Sequence, residues 1–190
     1  GNGETTSGKV KPVDLTLPRK DNKTGEGYRG FEIEVDPNLS FEEGASRRDF
    51  TFNSLMYSPI TGLLDHFGGV QDLEDSILRA VSDKFSEDPL RVLRAMQFAA
   101  RMDLDMECET TSMAQSLFEE YHALSKDRVW GEWWKWATKS IKPSKGLEVL
   151  VESGWVNHYP QIQQMMGTPQ DPKWHPEGDV FIHTSLVCDA

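Results

Sequence analysis

From Asp88 onward, the chain carries helix signals almost without interruption, and this limits the possible folds more than any other feature. Asp88 suits a helix N-cap, and Pro89 suits the first helical position because its missing N–H has no intrahelical partner there. Apolar residues recur at helical spacing through most of the chain beyond this point. We therefore predict helices over residues 88–102, 107–123, 127–141, 143–153, 159–166 and 181–190.

The first part of the chain has a different periodicity. Residues 13–19 and 30–36 alternate partly between apolar and polar, as half-buried strands do. The polar, glycine-rich segment DNKTGEGYRG between them predicts a hairpin loop, and residues 37–48 predict an acidic loop. A boundary between a small β-rich part and a helical part is expected near residues 70–88, which makes the fold class α+β.

Composition narrows the class of protein. The chain is 37% hydrophobic and 27% charged, which is typical of a globular protein with a buried core. No apolar run approaches the ~18 residues that a membrane helix needs, so we expect no membrane span. Cys108 and Cys188 are far apart in sequence, which favours a reducing cytoplasm over a disulfide scaffold. The net charge of −11 predicts that any RNA contact is local.

Arginines and carboxylates recur at two places where they could bind a nucleotide. Arg47, Arg48 and Asp49 precede an apolar run, and guanidinium groups offer planar forks of donors to phosphate. The alternative is a solvated loop with an internal salt bridge. Asp88 and Arg91 are three residues apart at a helix start, so an acceptor and a donor share one face. Here the alternative is a capping aspartate with an ion pair.

The same helix continues the basic pattern, and a later helix carries tryptophans. Arg94 and Arg101 follow Arg91 at helical spacing, which predicts either a stripe facing a triphosphate or a solvated face. The segment DRVWGEWWKWATKSIK carries a stripe of apolar residues at helical spacing, which we predict to pack in the core rather than to stack on bases. The stripe consists of Trp130, Trp133, Trp134, Ala137 and Ile141. The opposite side of the helix carries Lys135, Lys139 and Lys142, which are candidates for contact with a phosphate backbone.

Several of these segments occur in an order that resembles a known family. RRDFTFNSL, DHFGGVQDL, FSEDPLRVLRAMQFAAR, DRVWGE, GLEVLVESG and KWHPEGDVFIHT are similar to successive motifs of bacterial-type (class II) CCA-adding enzymes and their poly(A) polymerase relatives. The resemblance implies a polymerase-β-like nucleotidyltransferase head followed by a helical neck and body. It divides the chain into a partial head at 1–70, a neck and body at 71–174, and the start of a truncated HD domain at 175–190.

The resemblance also implies roles for individual residues. Asp88 and Arg91 would read cytosine and adenine, with Glu87 orienting the arginine. Asp65, Gly68 and Gly69 would form a hinge between head and neck. Contacts to ribose and triphosphate, or positions near the nucleotide, would come from Arg47, Arg48, Asp49, Arg94 and Arg101. The helix pattern described above, and not the resemblance, makes Lys135, Lys139 and Lys142 candidates for tRNA contact.

The chain departs from the family pattern at three places. Gln97 stands where the family usually has arginine. The segment GG-x-V-R-D and the D-x-D strand, whose aspartates bind catalytic Mg²⁺, do not precede this region. Asp14 is a candidate third carboxylate, the alternative being a strand-edge aspartate. His183 matches the first metal ligand of the HD domain, but the histidine–aspartate doublet that would come after it is not in the chain.

The resemblance implies a cytoplasmic enzyme that transfers CMP and AMP from CTP and ATP to the tRNA 3′ end with Mg²⁺. We expect the chain to be a fragment that is inactive alone, with the D-x-D strand supplied by a missing segment or a separate chain. One alternative is a poly(A) polymerase of the same family. Another is a non-catalytic RNA-binding module, or one half of a split enzyme.

Overall fold

A strand pair opens the part of the chain that the structure describes. The computed structural model describes residues 19–23, 31–35 and 38–190. Strand β1 (Arg19–Lys23) pairs antiparallel with β2 (Phe31–Val35), with Arg19 opposite Val35. The strand predicted over 30–36 is confirmed for the described residues 31–35. The predicted loop is wrong at residues 21–23, because pairing with β2 extends β1 through polar residues of low strand propensity. Residues 13–18 of the first predicted strand lie outside the described residues.

Short elements connect this pair to the helical part. Helix α1 (Phe41–Ala45) lies in the segment that was predicted as loop, and this prediction is wrong because Ser40 and Glu43 form a reciprocal capping box. A 3-10 helix (Thr51–Ser54) leads to the hairpin β3 (Met56–Ser58) and β4 (Gly62–Leu64). Helix α2 (Gly69–Glu74), strand β5 (Ile77–Leu78) and a second 3-10 helix (Asp83–Glu87) come next along the chain.

Helices dominate the chain after residue 88, as predicted. Two predicted helices are shorter than expected. In 107–123 the α-helix stops at Ser116 and a 3-10 helix (Phe118–Ala123) takes its place, and of 159–166 only Pro160–Gln163 is helical. Strand β6 (Asp105–Met106) pairs in parallel with β5. The helices are α3 (Leu90–Met102), α4 (Cys108–Ser116), α5 (Lys126–Lys139), α6 (Pro143–Glu152), α7 (Pro160–Gln163) and α8 (Val180–Asp189), with a 3-10 helix at Trp155–His158.

Helix α3 is the centre of the packing and contacts both α5 and α6. Its buried side chains include Val92, Leu93 and Met96. Phe50, just before the first 3-10 helix, packs edge-on against Phe98 of α3 at 5.8 Å between ring centroids. The segment around Phe50 is therefore fixed to the helix that begins after Asp88. Within the described residues, no helix is long and apolar enough to cross a membrane.

The side of helix α5 that packs against the core differs from the side that was predicted to do so. Trp130, Trp134 and Ile141 are 65%, 57% and 67% exposed, so the prediction that they belong to the core is wrong. Trp133, which also belongs to the predicted stripe, does pack against the core, together with Val129 and Trp136. Positions 129, 133 and 136 repeat at three and four residues, so a helix stripe still faces the core, displaced around the helix from the predicted one.

Gly69 permits a close approach between α2 and the 3-10 helix Thr51–Ser54. A Cβ at this position would overlap the carbonyl of Thr51 and approach the Cα of Phe52 to 2.9 Å. Because backbone atoms cannot rotate away, we expect Gly69→Ala to lower the free energy of unfolding by about 2 kcal/mol. Urea denaturation measures the change.

Gly131 is the matched control, because it lies within α5 with open space around the position of an added Cβ. Gly131→Ala should raise the free energy of unfolding by about 0.5–1 kcal/mol through helix propensity. Equal effects of the two substitutions would contradict the packing role of Gly69.

Candidate nucleotide-binding site

The loop of residues 47–49 is fixed to α3 through Asp49. The Asp49 side chain is buried, and its Oδ2 lies 2.5 Å from Nε of Arg94. Its Oδ1 accepts hydrogen bonds from the Phe50 N–H and from Nδ2 of Asn53. Asp49 therefore pairs with an arginine of another element, helix α3. Arg48, its neighbour, is exposed.

Asp88 joins α3 to α5 at the point where α3 begins. Oδ1 of Asp88 accepts the N–H of Leu90 at 3.0 Å, so the carboxylate caps the helix as predicted. Oδ2 accepts from Nη2 of Arg128 on α5 at 2.7 Å, and both side chains are about one-quarter exposed. The carboxylate is thus held in one orientation, beside solvent.

Arg91 bridges the loop and the second 3-10 helix by binding their backbone. Its Nη1 donates to the carbonyl of Lys84 at 2.6 Å and its Nη2 to the carbonyl of Arg47 at 2.9 Å. Burial lowers the pKa of the Arg91 guanidinium, while the carboxylates of Asp49, Asp88 and Glu87 oppose the shift. These carboxylates compensate the positive charge of a partly buried guanidinium.

We define the arginine junction as residues 47–49 together with residues 87–94. It brings together most of the predicted nucleotide-binding residues: Arg47, Arg48, Asp49, Glu87, Asp88, Arg91 and Arg94. Arg101 lies farther along α3, where Arg94 and Arg101 approach the ring of Phe98 at 5.3 and 5.4 Å. Arg101 donates to Oε1 of Gln97 at 3.1 Å, so the glutamine that replaces the usual arginine is buried and has a partner.

The predicted hinge residues form the start of α2. Asp65 accepts the N–H groups of Gly69 and Val70 at 2.8 and 3.0 Å, and Gly68 adopts a left-handed conformation with φ of 73°. Burial opposes the charge on Asp65, but the N–H groups of Val70 and Gly69 outweigh it. The pKa of Asp65 therefore lies below its ordinary value. Gly69 packs closely against the backbone of Thr51, in the 3-10 helix that comes just after the loop of residues 47–49.

The three lysines predicted to contact tRNA are not part of the junction. Lys135 pairs with Glu132 at 2.7 Å, and Lys142, beyond the end of α5, pairs with Asp189 at 3.0 Å. Lys139 is exposed. Asp14 lies outside the described residues.

His183, on the first turn of α8, lies beside Glu177, and His175 contacts the same carboxylate. The N–H of Glu177 itself and the hydrogen bonds from the two histidines lower the pKa of the Glu177 carboxyl to about 2.

Arg128 is the residue of this site that sequence reasoning did not single out. It lies within the quoted motif DRVWGE, but its partner Asp88 is 40 positions away in the chain. Only the packing of α5 against α3 brings the two together. In the sequence, Arg128 is one charged residue near the start of a predicted helix, and nothing indicates that Asp88 is its partner.

The described residues do not form a site for catalytic Mg²⁺. Such a site needs convergent carboxylate oxygens. The two aspartates of the junction, Asp49 and Asp88, are each held by an arginine. Within the described part of the chain, the group of three or more possible metal ligands is the one around Glu177.

Comparison with known proteins agrees with this architecture. A family model described as the Poly A polymerase head domain matches residues 6–79. The Multifunctional CCA protein of Vibrio vulnificus is 42% identical over 182 residues, which cover 93% of this chain and 44% of that relative. The chain thus spans less than half the length of this curated relative.

Two solved structures have the same fold. The Bacillus stearothermophilus CCA-adding enzyme in complex with CTP is 26% identical with a TM-score of 0.58, over 64% of this chain and 31% of that one. The Thermotoga maritima CCA-adding enzyme complexed with tRNA is 25% identical with a TM-score of 0.57, over 82% of this chain and 40% of that one.

The fold is the α+β fold of nucleotidyltransferases, with a polymerase-β-like head and a helical continuation. More narrowly, the chain belongs to the family of CCA-adding enzymes and poly(A) polymerases.

Proposed function

We propose that this chain carries the nucleotide-selecting part of a tRNA nucleotidyltransferase that adds CCA to the tRNA 3′ end from CTP and ATP. The observation that carries the proposal is the arginine junction. There, Asp88 is held by Arg128 and Arg91 by two backbone carbonyls, side by side at the start of α3. An acceptor and a donor are thereby presented from a rigid helix end.

The chemistry of the bases explains why such a pair selects C and A. Cytosine and adenine both present an exocyclic amine donor, whereas uracil and guanine present carbonyl oxygen at the equivalent place. A carboxylate can only accept and a guanidinium can only donate. Asp88 can therefore accept from the amine, and Arg91 can donate to the adjacent ring nitrogen. With uracil or guanine, the carboxylate would face a carbonyl oxygen and the guanidinium would face a ring N–H, so neither hydrogen bond could form. Arg47, Arg48, Asp49, Arg94 and Arg101 would hold the ribose and triphosphate.

Binding a base requires exchange of hydrogen bonds at the junction. Asp88 already accepts from Arg128, and Arg91 already donates to Lys84 and Arg47. The base would compete for these groups, with Glu87 available to keep Arg91 oriented after it turns. We propose that Asp65, Gly68 and Gly69 permit the accompanying movement of the head.

Nucleotidyltransferases of this family use a divalent metal ion, and we propose Mg²⁺. It would stabilise charge on the triphosphate, and its ligands would be the D-x-D aspartates, with Asp14 as a further candidate. In the reaction the tRNA 3′ hydroxyl attacks the α-phosphorus and pyrophosphate leaves. The described residues contribute selection and orientation of the nucleotide.

We propose the domain limits 1–70 for the head, 71–174 for neck and body, and 175–190 for the start of an HD domain. Lys135, Lys139 and Lys142 are proposed to contact the tRNA phosphate backbone. A cytoplasmic location is proposed because Cys108 and Cys188 are both free thiols.

Arg128 is expected to act on selection through Asp88. Arg128→Ala removes the partner of Oδ2, so Asp88 should lose its fixed orientation, and the preference for CTP over UTP should fall about fivefold. Nucleotide binding measured by tryptophan fluorescence checks this. Lys126→Ala, at an exposed position on the same turn of α5, is the control. An unchanged preference in Arg128→Ala would contradict the positioning role.

The length of the product tests the function itself. The complete gene product is incubated with tRNA lacking CCA and with CTP and ATP, and the extended tRNA is sized. Addition of three nucleotides supports the proposal, while a long A-tail supports the poly(A) polymerase alternative. If no nucleotide is added even with a separately supplied D-x-D head, the non-catalytic RNA-binding module becomes the better account. Titration of tRNA against the isolated chain at low salt then tests that module directly.

A further inference from the structure

A cavity of about 410 Å³ lies between the 3-10 helix that comes after α4 and the start of α5. Three of its walls are aromatic and two are aliphatic: Tyr121, Trp130 and Trp133, then Leu124 and Val129. The volume falls within the ~300–1,000 Å³ that is typical of small-ligand sites. Aromatic walls favour a planar ring as the ligand, because aromatic rings attract one another in stacked and edge-on arrangements.

Two of the three aromatic walls are fixed by packing against other rings. Tyr121 stacks on His158 at 4.1 Å between ring centroids, with 8° between the ring planes. Trp133 packs edge-on against Tyr159 at 5.0 Å. Trp130 is 65% exposed and forms the outer wall. The cavity therefore has two fixed walls and one wall that borders solvent, so a ring can enter beside Trp130.

The side chains at the cavity differ in charge from the chain as a whole. Lys126 and His122 are both exposed and both line the cavity. The exposed carboxylates on the same two elements, Glu119, Glu120 and Asp127, do not line it. Among the described residues, the lining thus includes an ammonium group and no carboxylate, in a chain whose net charge is −11. This local charge favours an anionic ligand.

The cavity lies beside the helix turn that supports the arginine junction. Arg128 comes between two lining residues of α5 in the sequence, and its Nη2 donates to Oδ2 of Asp88 at 2.7 Å. An α-helix with its side chains is ~10–12 Å across, so the cavity and the junction are about one helix diameter apart. An RNA 3′ end that is extended at the junction therefore comes within reach of the cavity.

We propose that this cavity binds an unpaired nucleobase of the RNA substrate, with the base stacked on Trp130 and its phosphate beside Lys126. Single-stranded RNA is commonly held in this way, by bases on aromatic side chains and phosphates on cations. Stacking tolerates any base, so the site holds the RNA strand without selecting C or A. Only the source of the base rests on the proposed function.

Fluorescence anisotropy of a labelled oligouridylate, titrated with the 190-residue chain at low salt, tests the site. Uracil is chosen because the arginine junction does not favour it. We expect Trp130→Ala to weaken binding at least about fivefold, the effect of losing one base stack. Trp130→Phe keeps an aromatic face and should retain most of the affinity. Trp174→Ala is the matched control, because this tryptophan is 71% exposed and lies outside the cavity.

Several results would overturn the proposal. One is absence of oligouridylate binding by the parent chain, and another is equal binding by the parent and Trp130→Ala when circular dichroism shows both to be folded. A fully paired RNA duplex or UMP that binds as tightly as the single strand would assign affinity to phosphate or to a free nucleotide. A dimer in sedimentation that Trp130→Ala dissociates would assign the surface to a second copy of the chain.

Nucleotide selection is measured separately, from the dissociation constants of CTP and UTP for the parent chain. Equal affinities for CTP and UTP, together with oligouridylate binding that depends on Trp130, would contradict the proposed function and support the cavity. The reverse pattern would support nucleotide selection and remove the cavity as an RNA site.

Discussion

Replacing Asp49 with alanine is expected to lower the free energy of unfolding by about 3 kcal/mol. The carboxylate is 6% exposed and accepts from Arg94, from the Phe50 N–H and from Asn53, so its loss leaves three donors without their acceptor. Removing one partner of a buried ion pair typically costs ~3–5 kcal/mol. We take the lower end because Arg94, at 29% exposed, can still reach water. Urea denaturation followed by circular dichroism gives the value.

The same substitution should also weaken nucleotide binding, because Asp49 holds the loop of residues 47–49 against α3. Glu74→Ala is the control, since Glu74 is an exposed carboxylate at the end of α2. It should change stability by less than about 0.5 kcal/mol. If Asp49→Ala and Glu74→Ala behaved alike, the pairing of Asp49 with Arg94 would not stabilise the junction.

Trp155→Ala should destabilise the helical part more than any other single truncation considered. Trp155 is fully buried, and its indole Nε1 donates to the carbonyl of Ala114 at 3.1 Å. Truncation leaves a large cavity and an unsatisfied carbonyl, at a cost of about 4 kcal/mol. Thermal unfolding should shift downward by roughly 10 °C in a chain of this length.

Trp134→Ala provides the matched comparison, because the same side chain is removed from a position that is 57% exposed. Its expected effect is below about 1 kcal/mol. Comparable losses at the two positions would mean that the exposed face of α5 is covered in solution.

Local signals in the sequence were sufficient for most of the helices after residue 88, because caps and apolar spacing act within a few residues. Asp88 does cap the start of α3, and α6 and α8 lie where their periodicity places them. Strand β1 extended further than its composition suggested, since pairing with β2 decides its length. Propensity carries no information about that partner.

The prediction of which face of α5 is buried was wrong for a similar reason, because tertiary packing decides it. Tryptophans occupy both sides of this helix, so apolar spacing alone allows more than one stripe. Packing against α3 and α6 selects the stripe containing Trp133 and Trp136. The role of Arg128 depends on the same packing and was likewise invisible in the sequence.

The candidate site was predicted largely through the order of its motifs. Arg47, Asp88 and Arg91 each had an ordinary structural alternative, and single motifs could not decide between them. In the structure, Asp88 both caps α3 and pairs with Arg128, so the structural and functional interpretations of this residue are compatible. Two orienting contacts hold the acceptor that nucleotide selection would require.

The central claim is that Asp88 and Arg91 select cytosine and adenine, and nucleotide binding by the isolated chain tests it most directly. Dissociation constants for CTP, ATP, UTP and GTP are measured with Mg²⁺ for the parent chain, Asp88→Ala and Arg91→Ala. We predict that CTP and ATP bind at least about tenfold more tightly than UTP and GTP, and that each substitution removes this preference. Equal affinities for all four nucleotides in the parent chain, or a preference that survives both substitutions, would contradict the account.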